Sequence, residues 1–579
     1  VIGGVNTPVH SLKTTTLGSR QHYCVNPRVA KSTGGDLNEK CKSLVEKHQC
    51  EYRNSVKKLI SATPPVWDIE DLVTTGAEVH GCPYYASRDM VDAAHIVFAP
   101  YNYLLDPVIR KAMDIDLNGT VVVIDEAHNV EDVSREAASC DLSQEDLLFS
   151  VEQLQRMIDL NTAEVQHYRQ LLTIVQGVLD FVNERGDSLT LKDIEDGKKN
   201  THSGISAAAV LKRRCGIHEE NLTSLRGCVE AVVTASNEQD PDSETISGQA
   251  LTLINKLVTT CEYMLSHDLK NVESFRLVIS ASKVWQRQAR GRGRNVVVRK
   301  FCLWCMNPAV AFEEVARLSH SVILASGTLS PLDSFASELG VEFKMRLQAT
   351  HVINTDKQLW AGAIGADSKK YSLKAVYENT SRHSYQDALG SIIYEASQNV
   401  PEGMLVFFPS YSLMDKIIDR WRHIELWQKL EEKKLCFVEP RSGKDAMEEC
   451  MCSYLEAAKT GGAILFAVFR GKISEGVDFS DHNARAVFIV GIPYPAFKDL
   501  KVSLKRAYQD ERKKCHTNSL SGSEWYSQQA YRALNQALGR CIRHRHDYGA
   551  IFLVDSRYCN NPIVVNQLSK WVRQSVKSY

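Results

Sequence analysis

Two adjacent carboxylates follow an apolar run in the stretch GTVVVIDEAHNVED, residues 119–132. The run Val121–Ile124 predicts a buried parallel strand, and such a strand ending in paired acids can hold a magnesium ion and a water molecule beside a phosphate group. We assign Asp125 to the metal and Glu126 to activation of the attacking water, with His128 placed to sense the terminal phosphate or to couple to a second lobe. The competing interpretation is an acidic turn that caps the following helix. The intact Asp-Glu-Ala-His order after four apolar residues favours the phosphate chemistry.

Phosphate chemistry also needs positive charge near the transferring group, because that group is anionic in the transition state. The segment QALGRCIRHR supplies such charge. Gln536, Arg540 and Arg543 recur at spacings of four and three, which predicts that they share one face of a helix. Gly539 would let the backbone approach closely, and the planar guanidinium of arginine suits bidentate contacts with phosphate oxygens. A salt-bridged surface helix is the alternative, which the paired acids disfavour.

Four cysteines in the first part of the chain form a second candidate site. Cys24, Cys41, Cys50 and Cys82 have 16, 8 and 31 residues between them. Structural zinc sites usually contain two cysteines separated by two to four residues, and this set has no such pair. Four thiolates from a loop-rich segment can instead hold a [4Fe–4S] cluster. From the residues alone a cluster, a zinc ion and unrelated buried thiols all stay open, with the cluster favoured.

Phosphate-hydrolysing proteins with such acids usually carry the loop G-x-x-x-x-G-K-[ST], whose amides and lysine hold the β- and γ-phosphates. The sequence contains no such motif: RSGKDAM and FRGKISE have a Gly-Lys pair without the earlier glycine or the following hydroxyl. We therefore expect the chain as given to bind ATP poorly and to hydrolyse it slowly or not at all.

The elements that must position these residues follow from the hydrophobic pattern. Short β-branched runs alternate with helical stretches, which predicts α/β architecture with largely parallel sheets. The runs VVVID and SVILASGT precede residue 330, and GMLVFFPS, GAILFAVF, RAVFIVG and GAIFLVD follow residue 400, which predicts two lobes. Between them, helical spacing after a Ser143 N-cap predicts an all-helical insertion over residues 135–295. The basic stretch RQARGRGRNVVVRK at its end is a solvated loop or, alternatively, a loop that contacts phosphates.

The composition is that of an ordinary globular protein. The chain has 579 residues, of which 44% are hydrophobic and 24% charged, and this length permits about three to four domains. The net charge of −1 means that any surface for nucleic acid must be a local basic patch. The longest apolar runs are too short to cross a bilayer, so we expect no membrane association.

Four motifs, in order, resemble motifs II, III, V and VI of the XPD-like superfamily 2 DNA helicases. They are VVVIDEAHNVED, ASGTLSP, FRGKISEGVDFSD and QALGRCIRHR. The resemblance covers nearly the whole chain. Within the family, WDIEDLV, CPYYASR, MNPAVAF and LSKWVRQ are most similar to the Fanconi anaemia group J type. The telomere-length-regulating type shares several of these stretches and is the alternative.

The resemblance implies an ATP- and Mg²⁺-dependent 5′-to-3′ DNA helicase of the nucleus that acts on single-stranded and forked duplex DNA in repair and replication-fork maintenance. It implies two RecA-like lobes, an iron–sulfur domain with a [4Fe–4S] cluster on the four cysteines, and a helical arch. Ser326, Gly327, Thr328 and Arg470 would couple nucleotide to DNA, and Gly476, Asp478 and Gly539 would belong to the nucleotide site. DNA-repair proteins would bind through regions outside this chain.

The resemblance also implies an order of segments. These are a remnant of lobe 1 (1–20), the iron–sulfur domain (21–90), lobe 1 with the DEAH box (91–134), the arch (135–295), lobe 1 resumed (296–350) and lobe 2 (351–579). Because the phosphate loop is missing, we expect an incomplete piece of an active helicase. The alternative is a short, non-catalytic iron–sulfur form that binds DNA or regulates.

Overall fold

The computed structural model describes residues 12–579 except 33, 162–163, 188–199, 239–243, 288–292, 330, 349–351, 472, 474–478, 517–518 and 560. The chain forms two compact units. Unit 1 contains the residues up to Ile124, Asn129–Ile323 and Glu338–Val341, and unit 2 contains Asp125–His128, Leu324–Ser337 and Glu342–Tyr579. The DEAH box and the segment that contains Ser326 thus group with the C-terminal part of the chain.

Unit 1 holds eight strands in three small sheets. The strands are β1 (Thr14–Thr16), β2 (Ile96–Phe98), β3 (Val121–Ile124), β4 (Cys140–Ser143), β5 (Asn200–Ser203), β6 (Phe275–Arg287), β7 (Gly293–Cys305) and β8 (Ser321–Leu324). β1 pairs in parallel with β2, β3 pairs with β8, and β4–β7–β6–β5 form an antiparallel sheet.

Helices make up most of the rest of unit 1. The N-terminal group is Arg20–Tyr23, Gly34–Glu46, Glu51–Asn54, Val56–Ala62, Ile69–Val79 and Pro83–Asp89. The next group is Tyr101–Leu105, Pro107–Ala112 and Val130–Ala137. The longer helices are Gln144–Asp159, Val165–Asp187, Gly204–Val210, Glu219–Glu238, Gly248–Leu269 and Ala309–Leu318. Ser143 caps the first of these longer helices in a capping box with Asp146, which confirms the predicted N-cap.

The prediction of an all-helical insertion is wrong in one respect. The long helices are present, but the segment also carries β6 and β7, two 13-residue strands that pair over their whole length from Phe275↔Cys305 to Arg287↔Gly293. The stretch that links these strands in the sequence is basic, and its residues 288–292 lie outside the described residues. The sequences FRLVISASKVWQR and GRNVVVRKFCLWC are rich in β-branched and aromatic residues, which favour strands over helices. The expected boundary at residue 295 therefore falls inside β7.

The prediction of a buried strand before the two acids is also wrong for this chain. β3 pairs only with β8 among the described residues, and its alternate side chains Val121 and Val123 are 59% and 63% exposed. Val97 and Phe98 of β2 and Ile323 of β8 are exposed as well. Such side chains are buried when a strand has neighbours on both sides and its sheet is covered on both faces. The two-stranded pairs β1–β2 and β3–β8 leave these side chains exposed.

Unit 2 is built on a seven-stranded sheet. Its strands are β9 (Leu359–Ile364), β10 (Gly403–Phe408), β11 (Leu435–Val438), β12 (Ala463–Val468), β13 (Ala486–Val490), β14 (Gly549–Val554) and β15 (Val576–Ser578). Their order is β11–β12–β10–β13–β14–β9–β15, and all registered pairs are parallel. This confirms the parallel sheet that the four C-terminal runs predicted.

Helices cover both faces of this sheet. They are Leu332–Leu339, Thr355–Gln358, Tyr377–Thr380, His383–Ser397, Tyr411–His423, Leu426–Glu431, Lys444–Thr460, Leu500–Cys515, Gly522–Leu538, Pro562–Val565 and Lys570–Arg573. Leu405 and Phe407 of β10 pack into one apolar cluster, and Met404, Val406 and Phe408 pack into the other. Burial on both faces explains why these strands read as continuous apolar runs.

Among the described helices, none combines the length and the hydrophobicity needed to span a lipid bilayer.

A buried ion network closes the amino-terminal edge of the unit 2 sheet. Arg485, 6% exposed, donates at 2.7 Å to Asp547, 1% exposed, and at 2.7 Å to Glu402. Because removal of one partner leaves a buried charge uncompensated, we expect Asp547→Ala to lower the free energy of unfolding by about 3 kcal/mol. Asp419→Ala, which removes an exposed partner of Arg422, should cost under about 1 kcal/mol. Urea unfolding followed by tryptophan fluorescence measures both, and equal losses would contradict the assignment.

Candidate functional site

The paired acids lie in a turn that directly follows β3. Glu126 has a φ of +47°, a left-handed conformation that is uncommon for a residue with a Cβ. The carboxylate of Asp125 accepts a hydrogen bond from the Glu126 N–H at 2.9 Å. Both side chains are exposed. Strained backbone of this kind is frequent at functional sites.

The histidine of the same motif joins it to the Ser-Gly-Thr segment. Nδ1 of His128 lies 2.9 Å from Oγ of Ser326 and 3.2 Å from the Glu126 carboxylate. Ser326 Oγ also donates to Glu126 at 3.4 Å and accepts from the Thr328 N–H at 3.3 Å. The His128 side chain is 9% exposed, so its contacts are fixed inside the protein. Residues 198 positions apart in the sequence thus form one hydrogen-bonded group.

The backbone reinforces this contact. The Ala127 N–H donates to the Ala325 carbonyl at 2.9 Å, so the two segments continue side by side beyond the paired strands β3 and β8. Gly327 is exposed, and a Cβ at this position would meet no atom within 4 Å. Its glycine is therefore not required by packing, and the space beside it is open to a ligand.

The arginine motif does not form one helical face. Helix Gly522–Leu538 contains Gln536 but ends at Leu538, and Arg540 and Arg543 lie in the turns that follow it. Gly539 is the C-cap, with a φ of −64°, and a Cβ there would make only ordinary contacts at 3.5 Å. Packing within the protein therefore does not require glycine at Gly539, and the close approach of its backbone to a phosphate stays a prediction. Periodicity identified the residues but missed the end of the helix, which lies inside the motif.

A buried carboxylate holds the arginine turn in place. Asp547 Oδ2 accepts the Arg543 N–H at 3.0 Å, while Oδ1 accepts the Tyr548 N–H and the Arg485 guanidinium. Gln358 donates to the carbonyls of Arg545 and Asp547. The Arg543 side chain is exposed, so the backbone is fixed while the guanidinium can reach an anion.

Motif V is only partly described. Arg470 follows β12 with a φ of +60°, and its guanidinium donates to the Gln529 carbonyl of helix Gly522–Leu538 at 2.6 Å. The expected nucleotide-site residues Gly476 and Asp478 lie outside the described residues.

The four cysteines come together in unit 1, although they are far apart in the sequence. Their thiols line one small cavity together with apolar residues that include Val29 and Leu44. Cys41 lies on helix Gly34–Glu46, Cys24 follows helix Arg20–Tyr23, and Cys50 and Cys82 occupy the N-cap positions of their helices. Cys41, Cys50 and Cys82 are buried, and Cys24 is half-buried.

Polar donors point at these sulfurs from several directions. The Asn26 amide, itself buried, donates to Cys50 Sγ at 3.5 Å. Burial raises the pKa of Cys82 to about 11, and backbone N–H groups of Tyr85 and Tyr84 act against that rise. Burial also raises the pKa of Cys41, while the Arg20 guanidinium, hydrogen-bonded to it, acts in the opposite direction. Donors and a cation around buried sulfurs are the environment that stabilises a thiolate-bound anionic cluster.

The spacing of the sulfurs separates a cluster from a single zinc ion. Tetrahedral zinc with Zn–S bonds of about 2.3 Å needs sulfurs about 3.8 Å apart. Among the described residues, no three of these thiols lie within 4.8 Å of one another, although all four line the same cavity. A larger group with one metal per ligand fits this arrangement better than a mononuclear ion.

Two polar residues of these sites escaped the sequence reasoning. Asn26 has no spacing signal, because one amide among loop residues is common. Asp547 lies between the arginine motif and β14, and an acid just before an apolar strand was the available signal.

Comparison with known proteins gives a consistent result. Residues 5–147 match the family model described as DEAD_2, and residues 393–575 match that of the helicase C-terminal domain. The chain is 38% identical over 98% of its length to the Fanconi anemia group J protein homolog of Gallus gallus, of which it covers 48%. It is 33% identical over 97% of its length to a regulator of telomere elongation helicase 1 homolog of Drosophila willistoni, of which it covers 60%. The chain thus spans 48% and 60% of the length of these two relatives.

A solved XPD helicase structure superposes on 98% of this chain and 86% of its own, with a TM-score of 0.55 and 19% sequence identity. That likeness shows the fold, two RecA-like lobes with insertions.

Proposed function

The chain belongs to the XPD-like family of superfamily 2 helicases, close to the Fanconi anaemia group J type, and from this membership we propose that it is the motor region of an ATP-dependent 5′-to-3′ DNA helicase. The observation that carries the proposal is the hydrogen-bonded group of Glu126, His128 and Ser326. It joins the metal- and water-binding acids of motif II to motif III. A change at the terminal phosphate can therefore reach the segment that the family resemblance assigns to DNA coupling.

The residues divide the hydrolytic work by their chemistry. Asp125 binds Mg²⁺, directly or through water, and Glu126 orients and polarises the attacking water. Arg540 and Arg543 supply positive charge to the γ-phosphate, with Gln536 beside them. Gly476, Asp478 and Gly539 complete the nucleotide site. Ser326, Gly327, Thr328 and Arg470 couple this site to DNA.

Tight binding of the nucleotide phosphates requires a phosphate loop, and the sequence does not contain one. We therefore assign hydrolysis to a longer protein in which such a loop is joined to this chain. The exposed faces of β3 and β2, with Val121, Val123 and Phe98, support this proposal, because further structure would cover them.

The four cysteines would hold a [4Fe–4S] cluster. The shared cavity, the spread of the sulfurs and the N–H donors support a cluster over zinc. Bound there, the cluster would fix the four short helical segments that carry its ligands. Its role is then mechanical rather than redox, because the family resemblance implies that this domain helps to wedge the duplex apart.

The proposed substrates are single-stranded and forked duplex DNA, the proposed setting is nuclear repair and replication-fork maintenance, and repair proteins would bind outside this chain. The six segments given for the sequence are proposed as the domain order, with the arch now including β4–β7. The telomere-regulating type is the alternative subfamily. It matches 97% of the chain at 33% identity, against 98% at 38% for the group J homolog.

A second candidate function follows from the missing phosphate loop. The chain could bind DNA through its local basic surfaces and act as a non-catalytic iron–sulfur or regulatory form. The two functions differ in one measurement, because DNA-stimulated ATP turnover by this 579-residue chain would exclude the second.

The water-activating role of Glu126 is tested in the longer protein. We expect Glu126→Gln to leave nucleotide and DNA binding largely intact and to abolish ATP turnover, because the amide cannot polarise the water as the carboxylate does. Phosphate release measured with and without single-stranded DNA gives the result. Glu136→Gln, at an exposed acid ten residues along, is the control. Retained turnover in Glu126→Gln would assign the base to another residue.

The arginine role has its own test. Arg543→Ala should slow ATP hydrolysis by about 10³–10⁵-fold, the scale of arginine contacts to a transferring phosphoryl group. Arg545→Ala, which removes the next exposed arginine of the same turn, should slow it far less. If the two variants behave alike, Arg543 is not the residue that reaches the phosphate.

The cysteine proposal predicts a specific loss of iron. Cys50→Ser should remove the visible absorbance and most of the bound iron, because an alcohol is a poor cluster ligand. Cys452→Ser, at an exposed cysteine of unit 2, should leave both unchanged. Iron and zinc are measured per chain after anaerobic purification. Full iron content in Cys50→Ser would remove this cysteine from the ligand set, and bound zinc in place of iron would replace the cluster by a zinc site.

A further inference from the structure

Glu439 is a buried acid that lies outside the four motifs named above. It lies immediately after β11 in the stretch LCFVEPRSG and is 2% exposed. A buried carboxylate is costly unless hydrogen-bond donors satisfy it. The donors that do so here belong to the loop after β12.

Three groups of the neighbouring segments surround this carboxylate. One oxygen accepts the Val468 N–H at 2.8 Å, and the other accepts the Ile473 N–H at 3.4 Å. Tyr411 lies near the same carboxylate, and burial together with the charge of Glu439 raises the pKa of Tyr411 to about 12. Glu439 therefore binds both ends of the motif V turn and connects them to helix Tyr411–His423.

The backbone at Gly471 lies close against the carboxylate of Glu439. The Gly471 N–H closes a tight turn onto the Val468 carbonyl at 3.1 Å. A Cβ on Gly471 would lie 2.6 and 2.8 Å from the two Glu439 oxygens, so only glycine lets the turn come this close. Arg470, at the tip, has a φ of +60°, a conformation that costs about 1 kcal/mol for a residue with a Cβ.

The Arg470 side chain extends from the strained tip to helix Gly522–Leu538. Its guanidinium donates to the Gln529 carbonyl at 2.6 Å, on the helix that leads into the arginine motif. The residue is exposed, so this guanidinium stands at the surface of unit 2. A turn that relaxed to negative φ would point the side chain elsewhere.

We propose that Glu439 is a positioning residue for DNA binding, since its buried carboxylate shapes the turn at Val468–Gly471 and so places the Arg470 guanidinium against a DNA phosphate. The inference rests on the proposed DNA-binding function and adds a residue to it. Backbone N–H donors shield the negative charge of Glu439. Its effect on DNA binding is then the position that it gives to the Arg470 cation.

The experiment measures binding of single-stranded DNA to the chain at several salt concentrations. Wild type must bind with an affinity that falls as salt rises, and absence of binding would refute the proposed function itself rather than this inference. Arg470→Ala should weaken binding about tenfold and reduce the slope of log affinity against log salt by about 0.7, the value for one phosphate contact with a single strand. Glu439→Gln should produce the same two changes.

The weaker DNA binding expected for Glu439→Gln is opposite to the effect expected from charge alone. Removal of a negative charge should strengthen DNA binding by general electrostatics, and loss of stability without repositioning would leave the salt slope unchanged. In the double variant Glu439→Gln/Arg470→Ala, the affinity should equal that of Arg470→Ala, because Glu439 acts through Arg470. An additive loss, or a Glu439→Gln affinity and slope equal to those of wild type, would overturn the proposal.

A second pair of variants tests the turn with Glu439 intact, and decides the question if Glu439→Gln does not fold. Gly471→Ala places a methyl group against the carboxylate and should lower affinity and slope as Arg470→Ala does. Gly461→Ala adds the same methyl group where no atom lies within 4 Å and should match wild type. Wild-type DNA binding by a folded Gly471→Ala would refute the role of the turn.

Discussion

A parallel sheet that is covered on both faces leaves only the ends of its strands for chemistry. In unit 2 this constraint is strict, because β10, β12 and β13 are buried along their whole length. The polar residues of interest accordingly lie just outside the strands. Glu439 and Arg470 follow β11 and β12, while Arg485 and Asp547 precede β13 and β14. The first pair shapes a loop that can present a cation, and the second pair secures the loop that holds the arginine motif.

Backbone strain is found at the same strand ends. Glu126 after β3 and Arg470 after β12 both have positive φ, and in each case nearby polar groups compensate for the cost. The Asp125 carboxylate accepts the Glu126 N–H, and Glu439 accepts both ends of the turn that contains Arg470. Carboxylates in this protein therefore work in two ways. Exposed ones are available to ions and water, and buried ones fix the backbone that presents other groups.

The sequence predicted the elements better than their ends. Runs such as AILFAV are unambiguous, because an apolar stretch of six residues bounded by glycines and polar residues fits a buried strand. β6 and β7 were missed because helical spacing before them dominated the segment, and strand pairing over 13 residues depends on a partner that periodicity does not reveal. Arg540 and Arg543 were correctly chosen as candidates, but the helix that should have aligned them ends at Leu538. The prediction that Val121 and Val123 are buried was wrong, because burial depends on neighbouring strands and a local sequence pattern does not reveal them.

The contact between His128 and Ser326 shows how a site can be recognised in a sequence without its geometry. Each motif alone suggested a role, but the hydrogen bond between residues 198 positions apart is a property of the fold. The same segment continues into contacts with the helices of unit 2: Ser334 exchanges hydrogen bonds with Gln528, and the Arg512 guanidinium donates to the Ser337 carbonyl. Since Gln528 and Gln529 are adjacent on helix Gly522–Leu538, and Gln529 accepts from Arg470, this helix receives contacts from motif V and from the segment that follows motif III. The same helix contains Gln536 of the arginine motif, so three stretches that are far apart in the sequence meet on one element of unit 2.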